Sequence, residues 1–249
     1  MSAITANLQA IQAIIAQTAV RAGRVPDSIR LLAVSKTRPA SDVLEAFQNV
    51  GQRDFGENYA QEGVEKIHAL TALTALLPPG APPLVWHFIG PLQSNKTRLV
   101  AENFDWAHSI ARLKIAQRLS EQRPAHLPPL QVCVQVNLSG EASKSGVAPE
   151  EAAPLCRAVA TLPRLCLRGL MAIPAPETDF ERQRPPLRRL RQLFDALRDE
   201  FVSVGRRQEG QETFDTLSVG MSHDLEAAIC EGSTLVRVGT AIFGARTKA

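Results

Sequence analysis

Apolar positions recur along the chain with two alternating periods. Ile4, Leu8, Ile11, Ile15 and Val20 stand at helical spacing with Gln, Asn and Thr between them, which predicts an amphipathic opening helix ending near Gly23. The run Ile29-Arg-Leu-Leu-Ala-Val-Ser-Lys36 reads as a strand. Pro39 and Ser41 then open a helix through Val43, Leu44, Ala46 and Phe47 that stops before Gly51. A short strand carries Asp54-Phe-Gly-Glu-Asn-Tyr59, and a helix from about Gln61 to Leu76 runs into Leu77-Pro-Pro-Gly-Ala-Pro-Pro83, a loop. Leu84-Val-Trp-His-Phe-Ile-Gly90 is the third strand. Ser94 is suited to cap a helix through Leu99 and Val100, Trp106-Ala-His-Ser-Ile110 forms a fourth strand, and its helix runs from Arg112 to about Arg123.

In the second half, Gln131-Val-Cys-Val-Gln-Val-Asn137 is the cleanest strand, followed by a polar loop and a helix from Pro149 to Leu162. Leu165 to Ile173 is strand six, closed by Pro174 and Pro176. Leu187, Leu190, Phe194, Leu197 and Phe201 mark one stripe of a long arginine-rich helix beginning near Pro186. The loop from Gly205 to Glu212 is expected to be mobile. Thr216 to Val219 is strand seven, its helix runs from Asp224 to Glu231, and strand eight extends from Leu235 to Phe243. Eight strands alternating with helices over 249 residues predict an α/β fold, a single parallel (β/α)8 TIM barrel with an extra N-terminal helix, spanning 1–249 as one domain. An open doubly wound sheet is the competing arrangement.

Composition narrows the partners. A hydrophobic content of 45% supports a sizeable core, and a formal charge of +3 from 28 basic and 25 acidic residues gives no overall excess for nucleic acid. The basic cluster from Arg182 to Arg207 reads as a solvated helix face. Cys133, Cys156, Cys166 and Cys230 lack CxxC spacing and read as buried thiols of a reducing compartment, with neither a disulfide frame nor a metal site. No apolar stretch is long enough to cross a membrane, and the N-terminus lacks the basic and apolar regions of a signal peptide, so a cytoplasmic location is expected.

Candidate chemistry gathers at strand ends. In Leu217-Ser-Val-Gly-Met-Ser-His-Asp224 and Thr234-Leu-Val-Arg-Val-Gly-Thr240, an apolar strand runs out into glycine and a hydroxyl residue, which is how a backbone approaches a phosphate and offers it donors. A barrel places such a phosphate after strands seven and eight. Lys36, at the end of strand one, is equipped to hold a phosphorylated aldehyde as a Schiff base, although a lysine can also simply carry its charge to solvent from an apolar strand. Forming that linkage needs burial or the neighbouring Arg237 to favour the neutral amine. If the strands are parallel, Lys36, Asn58, His87, Ser109, Asn137, Met171, Ser222 and Thr240 ring one mouth. Ser222 before Asp224 is equally an ordinary helix cap, and His87 and Asn58 serve as well as hydrogen-bonded wall residues. Gly239 marks a close backbone approach. Arg237, two residues earlier, points into the barrel and needs an acceptor, either a carboxylate or an aromatic ring nitrogen. His223 and Lys144 are loop candidates.

Seven ordered motifs carry a resemblance over essentially the whole chain. They are Leu32-Ala-Val-Ser-Lys-Thr, Phe55-Gly-Glu-Asn-Tyr, Trp86-His-Phe-Ile-Gly-Pro-Leu-Gln-Ser-Asn-Lys96, Ser143-Lys-Ser-Gly146, Gly169-Leu-Met-Ala-Ile-Pro, Gly220-Met-Ser-His-Asp-Leu-Glu-Ala-Ala-Ile and Val236-Arg-Val-Gly-Thr-Ala-Ile-Phe-Gly-Ala-Arg246. Together they resemble the pyridoxal 5′-phosphate (PLP) homeostasis family, YggS or PROSC. The resemblance implies a fold-type III, alanine-racemase-like barrel without the C-terminal β domain, in which PLP forms a covalent aldimine with Lys36. Ser222, Gly239 and Thr240 would hold its phosphate, Arg237 would face the pyridine nitrogen, and Asn58, His87 and Met171 would line the pocket. Ala111 departs from the aspartate common in the family, Val219 from a methionine, and the region from Arg182 to Glu212 looks elongated.

The implied function is to carry and buffer PLP in vitamin B6 and amino-acid homeostasis, without established turnover, as a monomer, with apo-forms of PLP-dependent enzymes as partners. Two readings compete with it. A PLP-dependent amino-acid racemase would use Lys36 as its sole base, since the only tyrosine is Tyr59 and the racemase β domain is not expected. A Schiff-base aldolase would attack a sugar phosphate directly.

Overall fold

The computed structural model describes residues 2–74, 83–140, 145–203 and 214–245. Its strands are β1 (Arg30–Val34), β2 (Asp54–Glu57), β3 (Val85–Phe88), β4 (Trp106–Ile110), β5 (Leu130–Val136), β6 (Leu165–Ala172), β7 (Thr216–Ser218) and β8 (Leu235–Val238). Alternating with them are α1 (Ala3–Arg21), α2 (Ala40–Val50), α3 (Ala60–Thr74), α4 (Thr97–Asn103), α5 (Leu113–Gln122), α6 (Pro149–Val159), α7 (Phe180–Ser203), α8 (Leu225–Cys230) and α9 (Thr240–Phe243). All strands pair in parallel and in sequence order, and β1 pairs with β8 from Arg30 opposite Leu235 to Ala33 opposite Val238. That last ladder closes the barrel and excludes the open sheet. The expectations placed on the proline-rich loop at 77–82, on Lys144 and on the loop at 205–212 fall outside the described residues.

The main core lies between the outer faces of the strands and the helices. On α7, Leu187, Leu190, Phe194 and Leu197 are buried at the predicted spacing, each contributing about 1.5–3 kcal/mol through the area it removes from water. The inward-facing residues are different in kind. Trp106, Cys133 and Met171 form a small separate cluster, and the guanidinium groups of Arg30 and Arg168 each lie over the Trp106 indole, 5.0 Å from a ring centroid. Arg168 in turn pairs with Asp215 at 2.6 Å, and this group plugs the end of the barrel where the strands begin. Burial pushes the Cys133 and Cys156 thiols up to about 12, so neither is a ready nucleophile. Among the described residues there is no metal-binding cluster, and no helix is long and apolar enough to cross a membrane.

Three local expectations are corrected. The long helix starts at Phe180, because the Asp179 carboxylate accepts from the Arg182 backbone N–H at 2.9 Å and caps a turn ahead of Pro185 and Pro186. Ser94 sits in the turn before α4, where its carbonyl accepts from the Thr97 hydroxyl; its side chain does not cap the helix. The eighth strand ends at Val238, and Gly239 turns the chain into α9, with the Ile242 and Phe243 N–H groups both donating to the Gly239 carbonyl.

Gly169 lies where β6 slips register against β5, and a Cβ there would sit 1.8 Å from the Thr216 carbonyl oxygen. Gly169→Ala is therefore expected to cost about 3 kcal/mol or more, since backbone must move to relieve the clash. Urea unfolding should show this as a lower midpoint at unchanged slope.

Candidate functional site

At the ends of the strands, β1, β2, β7 and β8 surround a cavity of about 490 Å³ bordered by Lys36, Arg38, Asn58, Ser222, His223, Arg237, Gly239 and Thr240, with Val34, Ile89, Ile173, Met221 and Phe243 as apolar wall. A mostly apolar cleft of this size with a few convergent polar groups suits a small ligand.

The backbone on both sides of Lys36 is clamped. Thr37 has a φ of 61°, an uncommon conformation for a non-glycine residue, and its N–H donates to Glu62 Oε1 at 2.5 Å. On the other side, Lys66 Nζ donates to the Ser35 carbonyl at 2.8 Å while pairing with Glu57 at 2.6 Å and Glu62 at 3.1 Å. The Ser35 hydroxyl donates to Glu57 at 2.6 Å. Burial raises the Glu57 carboxyl above its ordinary value against the opposing pull of Lys66. These groups on β2 and α3, of which Glu57 and Lys66 are buried, fix where the Lys36 side chain leaves the backbone.

Across the cavity, Gly239 brings β8 against β1: a Cβ there would lie 3.1 Å from the Val34 carbonyl oxygen. The Ser222 and Thr240 side chains are exposed and make no hydrogen bond among the described residues. Ser222 does not cap α8; Asp224 holds the N-cap position, and its Oδ1 accepts from the Met221 N–H at 2.6 Å, closing the turn before the helix without capping it. Arg38 donates to the carbonyls of Gly244 and Ala245 and ties the end of α9 to the loop after β1. Two hydroxyls and a glycine turn thus face the lysine from β7 and β8, the donor set a phosphate needs.

Arg237 is 4% exposed. Its Nη1 donates to the carbonyl oxygen and the hydroxyl of Ser218 at 2.6 and 2.8 Å, and Nη2 to the Ala172 carbonyl at 2.9 Å. No carboxylate pairs with it among the described residues, and burial lowers its pKa to about 10, so it remains a cation at neutral pH. Its Nε–H and one Nη2–H make no hydrogen bond among the described residues. The buried Asn58 Oδ1 is likewise without a partner among them. Polar atoms left unengaged in a cavity wall fit an absent polar ligand.

Two of the eight predicted site residues stand elsewhere. His87 is fully buried within the barrel beneath the cavity, with Nδ1 2.9 Å from His108 Nε2 and Nε2 3.0 Å from Asp54 Oδ1; Ile89, two residues later on the same face, reaches the mouth instead. Met171 packs on Trp106 and Cys133, and Ile173 borders the cavity in its place. In both cases the strand reaches the mouth two residues beyond the residue with the more conspicuous side chain. Arg38 was not singled out from sequence, although its position two residues past Lys36 was a usable signal.

A lysine at the end of β1 facing a phosphate-type cradle at the ends of β7 and β8, in a closed parallel barrel, defines the alanine-racemase type of cofactor barrel. Accordingly, the profile of the family described as "Alanine racemase, N-terminal domain" matches residues 1–247. Within that type the chain belongs to the pyridoxal phosphate homeostasis proteins. It is 54% identical over 246 residues to the pyridoxal phosphate homeostasis protein of Escherichia coli K12, covering 99% of this chain and 98% of the relative. With the protein of that name from Pseudomonas aeruginosa it shares 56% identity over 246 residues, covering 99% and 97%. The solved structure of PipY of Synechococcus elongatus with PLP bound superposes with a TM-score of 0.77 at 31% identity, over 97% of this chain and all (100%) of that one. Alanine racemase of Clostridium difficile, at 15% identity and a TM-score of 0.63 over 95% of this chain and 57% of that one, shares the fold.

Burial holds the His108 imidazole well below its ordinary value near 6.5, with repulsion from a protonated His87 and the charges of Arg237 and Arg30 adding to the effect, and lowers that of His87 as well. The unfolded chain therefore binds protons that the folded chain refuses. This contribution to stability is fully present above about pH 6.5 and is lost as the pH falls below it. Thermal unfolding is expected to show a melting temperature that drops between about pH 7 and pH 5, with a shallower slope in His108→Gln. A flat wild-type profile would mean that both imidazoles charge within the fold.

Proposed function

We propose that this chain binds PLP through Lys36 and carries and buffers it in vitamin B6 and amino-acid homeostasis. The observation that carries this reading is the convergence of Lys36, Asn58, Ser222, Arg237, Gly239 and Thr240 on one cavity. It is supported by the bound PLP of the PipY structure and by the names of the relatives. When bound, PLP supplies an aldehyde for capture by an amine and a ring that can accept electrons. Lys36, as the neutral amine, condenses with the aldehyde, forming one C=N bond and releasing the carbonyl oxygen as water. Ser222, Thr240 and the backbone at Gly239 hold the phosphate, Asn58 contributes a polar wall contact, and Arg237 donates to the ring nitrogen. A cation there disfavours protonation of the ring and makes it a weak electron sink.

The same argument favours a carrier over a racemase. Tyr59, the single tyrosine, is 55% exposed and does not border the cavity. The cavity's candidate bases among the described residues are Lys36 and the exposed His223. The carrier acts in the cytoplasm as a monomer and delivers PLP to apo-forms of PLP-dependent enzymes.

The wild-type protein purified with PLP is expected to show a visible absorbance band that Lys36→Ala abolishes. An unchanged band in that variant would transfer the linkage to another lysine. Incubation of the loaded protein with L- or D-alanine in deuterated water is expected to give negligible exchange of the α-proton by NMR. Steady incorporation at about 1 per second or faster, the ordinary enzymatic range, would replace the carrier by a racemase.

A further inference from the structure

The conspicuous histidine that the cavity does not use belongs to a connected line of buried polar groups. Arg237 Nη1 donates to Ser218 Oγ at 2.8 Å, and Ser218 Oγ lies 2.9 Å from His108 Nδ1. His108 Nε2 lies 2.9 Å from His87 Nδ1, and His87 Nε2 lies 3.0 Å from Asp54 Oδ1. The line crosses the barrel interior from the cavity to Asp54, the first residue of β2. Ser218, His87 and His108 are all fully buried, so water does not complete their bonding.

We propose that Ser218, His108, His87 and Asp54 form a one-way hydrogen-bond chain that positions Arg237 toward the ring nitrogen of bound PLP, an inference resting on the function argued above. The ends of the chain fix its direction. A guanidinium only donates and a carboxylate only accepts. Burial would raise the Asp54 carboxyl, but the hydrogen bond from His87 and the nearby charges of Arg30 and Arg53 hold it below its ordinary value, so it is ionised at neutral pH.

Both imidazoles are neutral: burial opposes the protonation of each, outweighing at His87 the opposing pull of Asp54, while at His108 the charges of Arg237 and Arg30 add to it. One proton arrangement then satisfies every contact: Ser218 O–H to His108 Nδ1, His108 Nε2–H to His87 Nδ1, and His87 Nε2–H to Asp54. The reverse order would set a bare His87 Nε2 against an ionised carboxylate at 3.0 Å. With its hydroxyl proton committed to His108, Ser218 presents only lone pairs to Arg237, and alignment of the successive dipoles strengthens that acceptor. Nη1 is thereby held on Ser218 and one Nη2–H on Ala172, which leaves Nε–H and the second Nη2–H for the cavity that Arg237 borders. Asp54 places the compensating negative charge at the far end. Ser218, His108, His87 and Asp54 are positioning residues, since none borders the cavity.

The test has two arms. In the protein without cofactor, NMR of 15N-labelled histidine should show His87 and His108 as neutral Nε2–H tautomers, and a charged ring or an Nδ1–H tautomer at His108 would overturn the chain. In protein loaded with PLP labelled at its ring nitrogen, Ser218→Ala, which removes a single oxygen, and His108→Phe should both shift the ring 15N resonance. Both should also release PLP about tenfold faster, the scale of one hydrogen bond to a charged group. His108→Gln, which keeps one donor and one acceptor, should restore the resonance toward that of the wild type. Ring resonance and release rate unchanged in Ser218→Ala would overturn the positioning role, as a merely structural hydroxyl would alter melting alone. A wild-type chain that takes up no PLP would overturn this role together with the proposed function, while the histidine spectrum would still report whether the chain of hydrogen bonds exists.

Discussion

A guanidinium cation that cannot reach water is the constraint on which the cofactor end of this barrel depends. Arg237 is buried on β8 without a carboxylate among the described residues, and an unsolvated charge is tolerated only where fixed acceptors surround it. The acceptors come from β6 and β7, so the side chain spans three strand ends. It does so where the sheet is thinnest: β7 is three residues long and its ladder to β8 has a single aligned pair, Ser218 with Leu235. Here a side chain performs part of the work that backbone hydrogen bonds perform between β5 and β6, where seven pairs align. Losing the guanidinium would therefore loosen the scaffold as well as the site.

The two sides of the cavity are built differently. The lysine side is rigid, with Thr37 held at a positive φ by Glu62 and Ser35 held by Lys66 and Glu57, all within a few ångströms of the point where Lys36 departs. The hydroxyl side is exposed, with Ser222 and Thr240 at the rim. A small molecule held this way is gripped firmly at one end and reachable from outside at the other. An enzyme that must exclude water around a reacting carbon needs a covered rim; a protein that must surrender its cargo does not.

The strand and helix order was legible because the two hydrophobic periods are strong and each strand is followed by a helix of its own. That Lys36, Asn58, Ser222, Arg237, Gly239 and Thr240 border one cavity was legible because they sit at or near strand ends, and a parallel barrel brings those ends together. What the sequence hid is the depth of a residue along its strand. His87 and Met171 share the inward faces of Ile89 and Ile173 and differ from them only by two positions, a distance of about 6.6 Å that periodicity alone does not register. The chain of polar contacts inside the barrel was hidden for a related reason. Asp54, His87, His108, Ser218 and Arg237 belong to five different strands, and only their common height in the barrel makes them neighbours.

The pairing of β1 with β8 also sets a timetable. The strand that carries Lys36 toward the cavity finds its closing neighbour some two hundred residues later in the chain, as the pairing of Leu31 with Val236 shows. During synthesis the N-terminal strand is made long before that neighbour exists, and one of its edges must wait unpaired. Contacts of such sequence separation form late and slowly. The wall opposite the lysine is assembled in the same final step, so a nascent chain has no site in which to trap a reactive aldehyde before the fold around it is complete.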